Sequence, residues 1–316
     1  MGSLHSAIES AIRDHLDAQE RSGDGEIVDL ARHLMLAGGK RLRPMLTVLC
    51  YEAMGGRSLD RIMPAAIASE FIHSATLVHD DINDAAKVRR GVLTLHEVAG
   101  PAKAIIVGDW LFVQGFRLSA GYGDAIIEEV SRSCADIAVS EIKQIDHIMD
   151  LTTSPEDYYE IVQGKTAGPF RMASRVAAHV ADAPASFVDA VTTFGLEVGL
   201  AFQLVDDLLD ITGDAGIGKP RGADVIEGKM TMPLIHALTL LHGEDRASLL
   251  DVIHRYDEGR LPELVALLER SGSIRYAELL VRNHLDRATE ALDALPKSEA
   301  TTVLRHVCDT MRFRRI

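Results

Sequence analysis

Along the chain, apolar side chains recur every three or four positions, the spacing that lines one face of an α-helix. Nowhere do they alternate for long with period two. The spacing predicts helices over Leu4 to Gln19, Ile27 to Ala37, Leu46 to Met54, Ile62 to His79, Ala102 to Leu118 and Ala125 to Ile148. It resumes over Phe187 to Thr212, Met230 to Leu241, Arg246 to Tyr256, Leu261 to Arg270, Ser273 to Leu292 and Lys297 to Met311. Between them stand the turn-rich RSGDGE, the pairs Gly38-Gly39 and Gly55-Gly56, and the helix start Ser154-Pro155-Glu156-Asp157. Ile62 to His79 is apolar almost all round and belongs in a core. Phe187 to Thr212 carries Gly195 and Gly199, where another element can approach closely. Pro64, Pro184 and Pro233 fall where helices begin or loops lie. No linker divides the chain, which is expected to be all-α, a single-domain helical bundle over residues 1–316.

Composition agrees. Hydrophobic residues make up 47% of the chain but aromatics only 5%, and an aliphatic, alanine-rich chain favours helix over strand. The net charge of −14, from 33 Lys and Arg against 47 Asp and Glu, argues against a nucleic-acid partner. An anionic small substrate stays compatible, because bases and bound metal set the local field. Cys50, Cys134 and Cys308 are far apart and lack zinc-ligand spacing, as free thiols of a reducing compartment would be. There is no leader pattern and no uncharged apolar run of about 18 residues, so a soluble, cytoplasmic protein is expected. Trp110 is assigned to packing or an interface.

The candidate chemistry lies in two stretches. LVHDDINDAAKVRRG, Leu77 to Gly91, ends an apolar helix with Asp80, Asp81 and Asp84, then supplies Arg89 and Arg90. On a helix, Asp80 and Asp84 share a face about 6 Å apart and repel, which a bound cation offsets. Mg²⁺ takes oxygen ligands, typically one or two carboxylates plus phosphate oxygens, and arginines grip phosphate through paired donors. AFQLVDDLLDITGD, Ala201 to Asp214, repeats the plan with Asp206, Asp207 and Asp210, and Lys219, Arg221 and Lys229 follow. One acid triplet also fits a solvated helix end. Two, each followed by a basic loop, point to a divalent-metal site gripping a phosphorylated ligand. Lys40, Arg41 and Arg43 after Gly38-Gly39 suit either a helix C-terminal cap or an anion-binding loop. His73 fits a satisfied core residue, although it lies two turns before Asp80 and both can look toward one cavity.

In chain order the motifs are GGKRLRP at 38–44, FIHSATLVHDDINDAAKVRRG at 71–91, GD at 108–109 and EIKQ at 141–144. GKTA at 164–167, FQLVDDLLD at 202–210 and GKPRGADVIEGKMTMP at 218–233 complete them. With this ordered set, from about Ala37 to the C-terminus, the chain resembles the trans-polyprenyl diphosphate synthases. The resemblance implies an all-α bundle of the isoprenoid synthase type with a central cavity, acting as a homodimer. It implies a transferase that condenses isopentenyl diphosphate with an allylic prenyl diphosphate into a linear all-trans polyprenyl diphosphate. Asp80, Asp81, Asp84, Asp206, Asp207 and Asp210 would hold Mg²⁺ against the allylic diphosphate. Arg89, Lys165, Lys219 and Lys229 would bind that diphosphate, with Thr166 and Gln203 assisting near its reacting end. Lys40, Arg43, His73 and Arg90 would bind isopentenyl diphosphate, which overrides the cap and core readings. Asp80, Asp84, Lys165, Thr166, Gln203 and Asp206 are the expected catalytic residues.

Two departures stand out: Ser140 before Glu141, where the family usually has Gly, and Val92-Leu93 after the arginines. Neither touches an expected binding residue. Ala75 and Thr76, just before the first acid, are small where shorter-chain members often carry aromatics, which implies a product of about C20 or longer. Phe71 and Ile72, one turn deeper, are candidates for its floor. Two alternatives stand beside this reading. A class I terpene cyclase usually mixes Asn, Ser or Thr with Glu in its second metal motif, where this chain has DDLLD. A non-catalytic subunit of a heteromeric synthase usually loses acids or basic loops that this chain keeps. Arg312, Arg314 and Arg315 are expected to form a solvated tail.

Overall fold

The computed structural model describes residues 2–213 and 221–312. Its helices are α1 (Gly2–Arg21), α2 (Gly25–Met35), α3 (Leu42–Ala53), α4 (Leu59–Asn83), α5 (Leu95–Ala99), α6 (Pro101–Ala120), α7 (Asp124–Asp146) and α8 (Pro155–Val162). They continue with α9 (Gly168–Val180), α10 (Ala185–Thr212), α11 (Ala223–Ile226), α12 (Met232–Leu240), α13 (Gly243–His254), α14 (Leu261–Arg270), α15 (Ser273–Ala291) and α16 (Glu299–Arg312). The fold is all-α, and every helix expected from the apolar spacing is present. Among the described residues the only sheet is a two-stranded antiparallel hairpin, β1 (Val88–Arg89) and β2 (Val92–Leu93). Its turn, Arg90-Gly91, has positive φ at both residues, 53° and 80°, the backbone that joins two strands most tightly.

The described residues pack as two compact units. The first takes the chain up to Cys134 with Met172–Thr192 and Ala294–Leu304; the second takes Ala135–Arg171, Thr193–Asp293 and the chain from Arg305 on.

In the first unit, Ile8, Ile12 and Leu16 of α1 meet Val28 and Met35 of α2, Phe71 and Val78 of α4, and Leu111 of α6 in one core. Trp110 packs against it. Helix α6 presents glycine where α4 comes close: a Cβ on Gly108 would lie 2.3 Å from His79 Nε2, and one on Gly115 2.6 Å from Ile72. That contact holds the end of α4, and with it the first acid triplet. Helix α4 starts a turn earlier than the apolar pattern indicates, because Ser58 accepts the Arg61 N–H at 3.2 Å as a cap. Pro64 is therefore inside the helix rather than at its start.

In the second unit, α10 packs on the segment that joins α8 to α9. A Cβ on Gly199 would come within 2.5 Å of the Ala167 Cα, which is the close approach expected of this helix. Helix α10 is long and apolar enough to span a bilayer, yet 56% of its apolar stretch is buried within the protein, with Phe194, Leu204 and Leu208 in the interior. It is built as a core helix. Cys50, Cys134 and Cys308 are free thiols, and burial pushes Cys50 up to about 12.

Candidate active site

The first acid triplet ends α4. The Asp84 N–H closes the last turn on the Asp80 carbonyl at 2.8 Å, so Asp80 and Asp84 share one face, both half-buried. Asp81 faces inward, 2% exposed, and accepts from Arg89 Nε at 2.6 Å. Burial raises Asp81 above the usual carboxylate range, Arg89 opposes this, and Asp80 adds to it. Arg89 is on β1, so the hairpin turn is what brings the double arginine back to the helix end.

The loop Gly38 to Arg43 leads into α3. Its three bases, Lys40, Arg41 and Arg43, are sorted by the structure. Lys40 is exposed, Arg43 half-buried, and Arg41 has a wholly buried side chain paired with Glu9 and Glu70 at 2.6 Å each. Arg90 donates from Nη1 to the Gly38 carbonyl at 2.5 Å and lies over Gly39, where a Cβ would come within 2.9 Å of it. His73 is on the same side of α4 as Asp80. Burial lowers it well below its ordinary value, and Arg43, Arg90, Arg89 and Arg41 push the same way, so its imidazole is neutral. Burial brings Arg43 down to about 10, with Glu70 opposing and Arg90 reinforcing. Thus Arg43, His73, Arg89 and Arg90 form one electrostatic set next to the first acids. Ala75 and Thr76 lie on different faces: Ala75 is wholly buried in the core with Phe71, and the half-buried Thr76 donates to the His73 carbonyl at 2.8 Å.

The second cluster belongs to the second unit. The capping box of Ser154 and Asp157 starts α8, as the sequence predicts. The helix then passes through a π-turn, Gln163–Ala167, before α9. Such a turn inserts one extra residue and shifts the face on which side chains emerge, often at functional sites. Here it presents Lys165, paired with Glu141 at 2.7 Å, and Thr166, whose hydroxyl donates to Gln203 Oε1 at 2.8 Å. Gln203 Nε2 donates to Asp207 Oδ1 at 2.8 Å, and the Tyr158 hydroxyl donates to Asp207 Oδ2 at 2.7 Å. Asp207 is 2% exposed, and burial with Asp206 and Asp210 pushes it up to about 7 against these two donors. Asp206 is exposed, and Asp210 accepts the Ala223 and Asp224 N–H groups at 3.0 and 3.2 Å. Asp224 is raised far above its usual range by burial, Asp207 and Asp210. Lys229 pairs with Glu227 at 2.5 Å. Lys219 lies outside the described residues.

The two triplets share a design: the second acid is buried and bonded to protein donors, while the first is more open. Sequence reasoning missed Tyr158, Asp224 and Glu70, and gave Glu141 no role. Tyr158 precedes Lys165 by seven residues, two helical turns, which is the signal that was available. Among the described residues, no three His, Cys, Asp or Glu side chains close on one point as a complete metal cage.

Residues 25–268 match the polyprenyl synthetase family. A short chain isoprenyl diphosphate synthase of Methanothermobacter thermautotrophicus is 35% identical over 285 residues, 88% of this chain and 87% of the relative. An all-trans-nonaprenyl-diphosphate synthase (geranyl-diphosphate specific) of Rhodobacter capsulatus is 34% identical over 274 residues, 86% of this chain and 84% of the relative. The crystal structure of a polyprenyl synthase from Caulobacter crescentus CB15, complexed with calcium and isoprenyl diphosphate, superposes with a TM-score of 0.90 at 34% identity. It covers 100% of this chain and 96% of that one. The chain therefore belongs to the polyprenyl synthetase family, a family of prenyl-transferring enzymes of isoprenoid synthesis that use divalent metals.

Proposed function

We propose that the chain joins isopentenyl diphosphate to an allylic prenyl diphosphate, releasing diphosphate and giving a linear all-trans product of about C20 or longer. The observation that carries this reading is the set of Arg43, His73, Arg89 and Arg90 beside the first acid triplet. An anion site built of cations and a neutral imidazole needs no metal, and next to an acid-tipped helix it supports two diphosphates of different chemistry. A cyclase would have no use for it.

The two acid clusters serve one allylic diphosphate, with Asp80, Asp81, Asp84, Asp206, Asp207 and Asp210 as the Mg²⁺ set. The donors fit: all are carboxylates, and Asp207, raised first by burial, is raised further by Asp206 and Asp210, a repulsion that a divalent cation relieves. Held by these carboxylates, Mg²⁺ would supply charge neutralisation of the diphosphate as it becomes a leaving group. Lys165, Arg89, Lys219 and Lys229 bind its oxygens and stabilise the negative charge that develops as the allylic C–O bond breaks. Thr166 Oγ1 donates its hydrogen bond to Gln203 Oε1, which leaves its oxygen lone pairs available to a carbon that becomes positive. Lys40, Arg43, His73 and Arg90 hold isopentenyl diphosphate so that its double bond attacks that carbon. A proton then leaves to the departing diphosphate; no side-chain base is assigned.

In this reading the chain works as a single-domain, cytoplasmic homodimer. Exposed Ile106 and Val113 on α6, and Val139, Ile142 and Ile145 on α7, support subunit contact. Incubation with radiolabelled isopentenyl diphosphate, an allylic diphosphate and Mg²⁺ tests the activity. Linear prenyl diphosphate supports it, whereas hydrocarbon product or no turnover means a cyclase or a non-catalytic subunit.

A further inference from the structure

Helix α1 lies outside the stretch that matches the family, residues 25–268, and carries none of the site residues above. We propose that α1 is a brace for the isopentenyl diphosphate site, with Glu9 and His5 as positioning residues that set Lys40 and Arg43 through Arg41 and Gly39. The inference rests on the reading of Lys40, Arg43, His73 and Arg90 as that site.

Ile8, Ile12 and Leu16 have no exposed surface and fix the register of α1 in the core. His5 and Glu9, four residues apart, then fall on one face, and that face meets the glycine loop. His5 Nε2 donates to the Gly39 carbonyl at 3.0 Å. Glu9 Oε1 accepts from Arg41 Nε at 2.6 Å, while Arg41 Nη1 donates to Glu70 at 2.6 Å and Nη2 to the Met35 carbonyl.

Arg41 has φ 48° and ψ 41°, a left-handed conformation uncommon for a residue with a Cβ. A buried guanidinium is tolerated only when its donors are met by acceptors, so the acids are what keep Arg41 turned inward. With Arg41 pinned inward and its backbone left-handed, Lys40 stays exposed and Arg43, in the first turn of α3, lies within electrostatic reach of His73. Arg90 holds the Gly38 carbonyl from the hairpin side. Two successive carbonyls of the loop are thus fixed from two directions, one of them α1. Without Glu9, Arg41 loses one of its two counter-charges and the strained turn has less to hold it.

The test is calorimetric titration of isopentenyl diphosphate into the full-length chain in EDTA, followed by steady-state KM values for both substrates with Mg²⁺. Glu9→Ala is expected to weaken isopentenyl diphosphate binding and raise its KM by about tenfold, with kcat and the allylic KM within about twofold of wild type. Glu9→Gln, which keeps an acceptor for Arg41, recovers most of the loss. His5→Ala gives about a threefold effect without touching the buried ion pair, which covers the case of a Glu9→Ala chain that does not fold. Equal KM changes for both substrates, or unchanged isopentenyl diphosphate affinity in the folded variants, overturns the brace. A wild-type chain that binds no isopentenyl diphosphate refutes the site reading itself, and the brace with it.

Discussion

Replacing Tyr158 with Phe removes one oxygen from the second cluster and almost nothing else. The ring is buried, and so is Asp207, whose Oδ2 accepts the hydroxyl proton at 2.7 Å. A hydrogen bond to a charged acceptor contributes about 1.5–3 kcal/mol. Expressed wholly at the transition state, that is a loss of roughly 10- to 150-fold in kcat/KM for the allylic substrate. Asp207 is already raised to about 7 by burial and its neighbouring acids. Deleting a donor that stabilises the carboxylate raises it further, so a larger fraction is protonated at neutral pH. The loss is therefore larger near pH 6.5 than near pH 8.5, and half-saturating Mg²⁺ rises. The assay is the initial rate of prenyl transfer against Mg²⁺, allylic diphosphate and pH. The KM for isopentenyl diphosphate is the internal control, because the Tyr158 network includes none of Lys40, Arg43 or His73. A Tyr158→Phe enzyme with wild-type Mg²⁺ dependence, or with equal losses for both substrates, refutes the reasoning.

His73 is held neutral in the folded chain but takes a proton in the unfolded chain below about pH 6.5, so it draws stability down as the pH falls past that value. His73→Gln is expected to flatten that slope by up to about 1.4 kcal/mol per pH unit in denaturant melts between pH 6.5 and 5. An unchanged slope contradicts this. Gly199→Ala drives a methyl group onto the Ala167 backbone. It is expected to destabilise by about 1–3 kcal/mol in thermal or urea melts and to lower kcat by displacing the π-turn; wild-type stability contradicts the close approach. Ala75→Phe is expected to shorten the product on thin-layer analysis, at a packing cost of about 1–3 kcal/mol because Ala75 is wholly buried. An unchanged product distribution shows that length is not controlled there.

Much of the fold was legible because a 3.6-residue apolar repeat marks a buried helix face whatever packs on it. The ends of α4 and α10 announced themselves by clustered acids that a bare helix would disfavour. What stayed hidden depended on partners remote in sequence. KRLR reads as interchangeable bases until Glu9 and Glu70, on two other helices, choose Arg41 to face inward. In both DD pairs the second acid is the buried one, a choice made by Arg89 in one case and by Gln203 and Tyr158 in the other. The hairpin at Arg90-Gly91 is too short for alternation to show, and the π-turn keeps helical spacing while adding a residue.

Whether the acids of α4 and α10 act on a single allylic diphosphate, as proposed, is measured by a double-mutant cycle on kcat/KM for that substrate. If Asp80 and Asp206 work as one unit, Asp80→Asn and Asp206→Asn each lower kcat/KM steeply, and the double variant falls little below the worse single one, a coupling of about 2 kcal/mol or more. Losses that simply add, within about 0.5 kcal/mol, mean two independent sites and contradict the account.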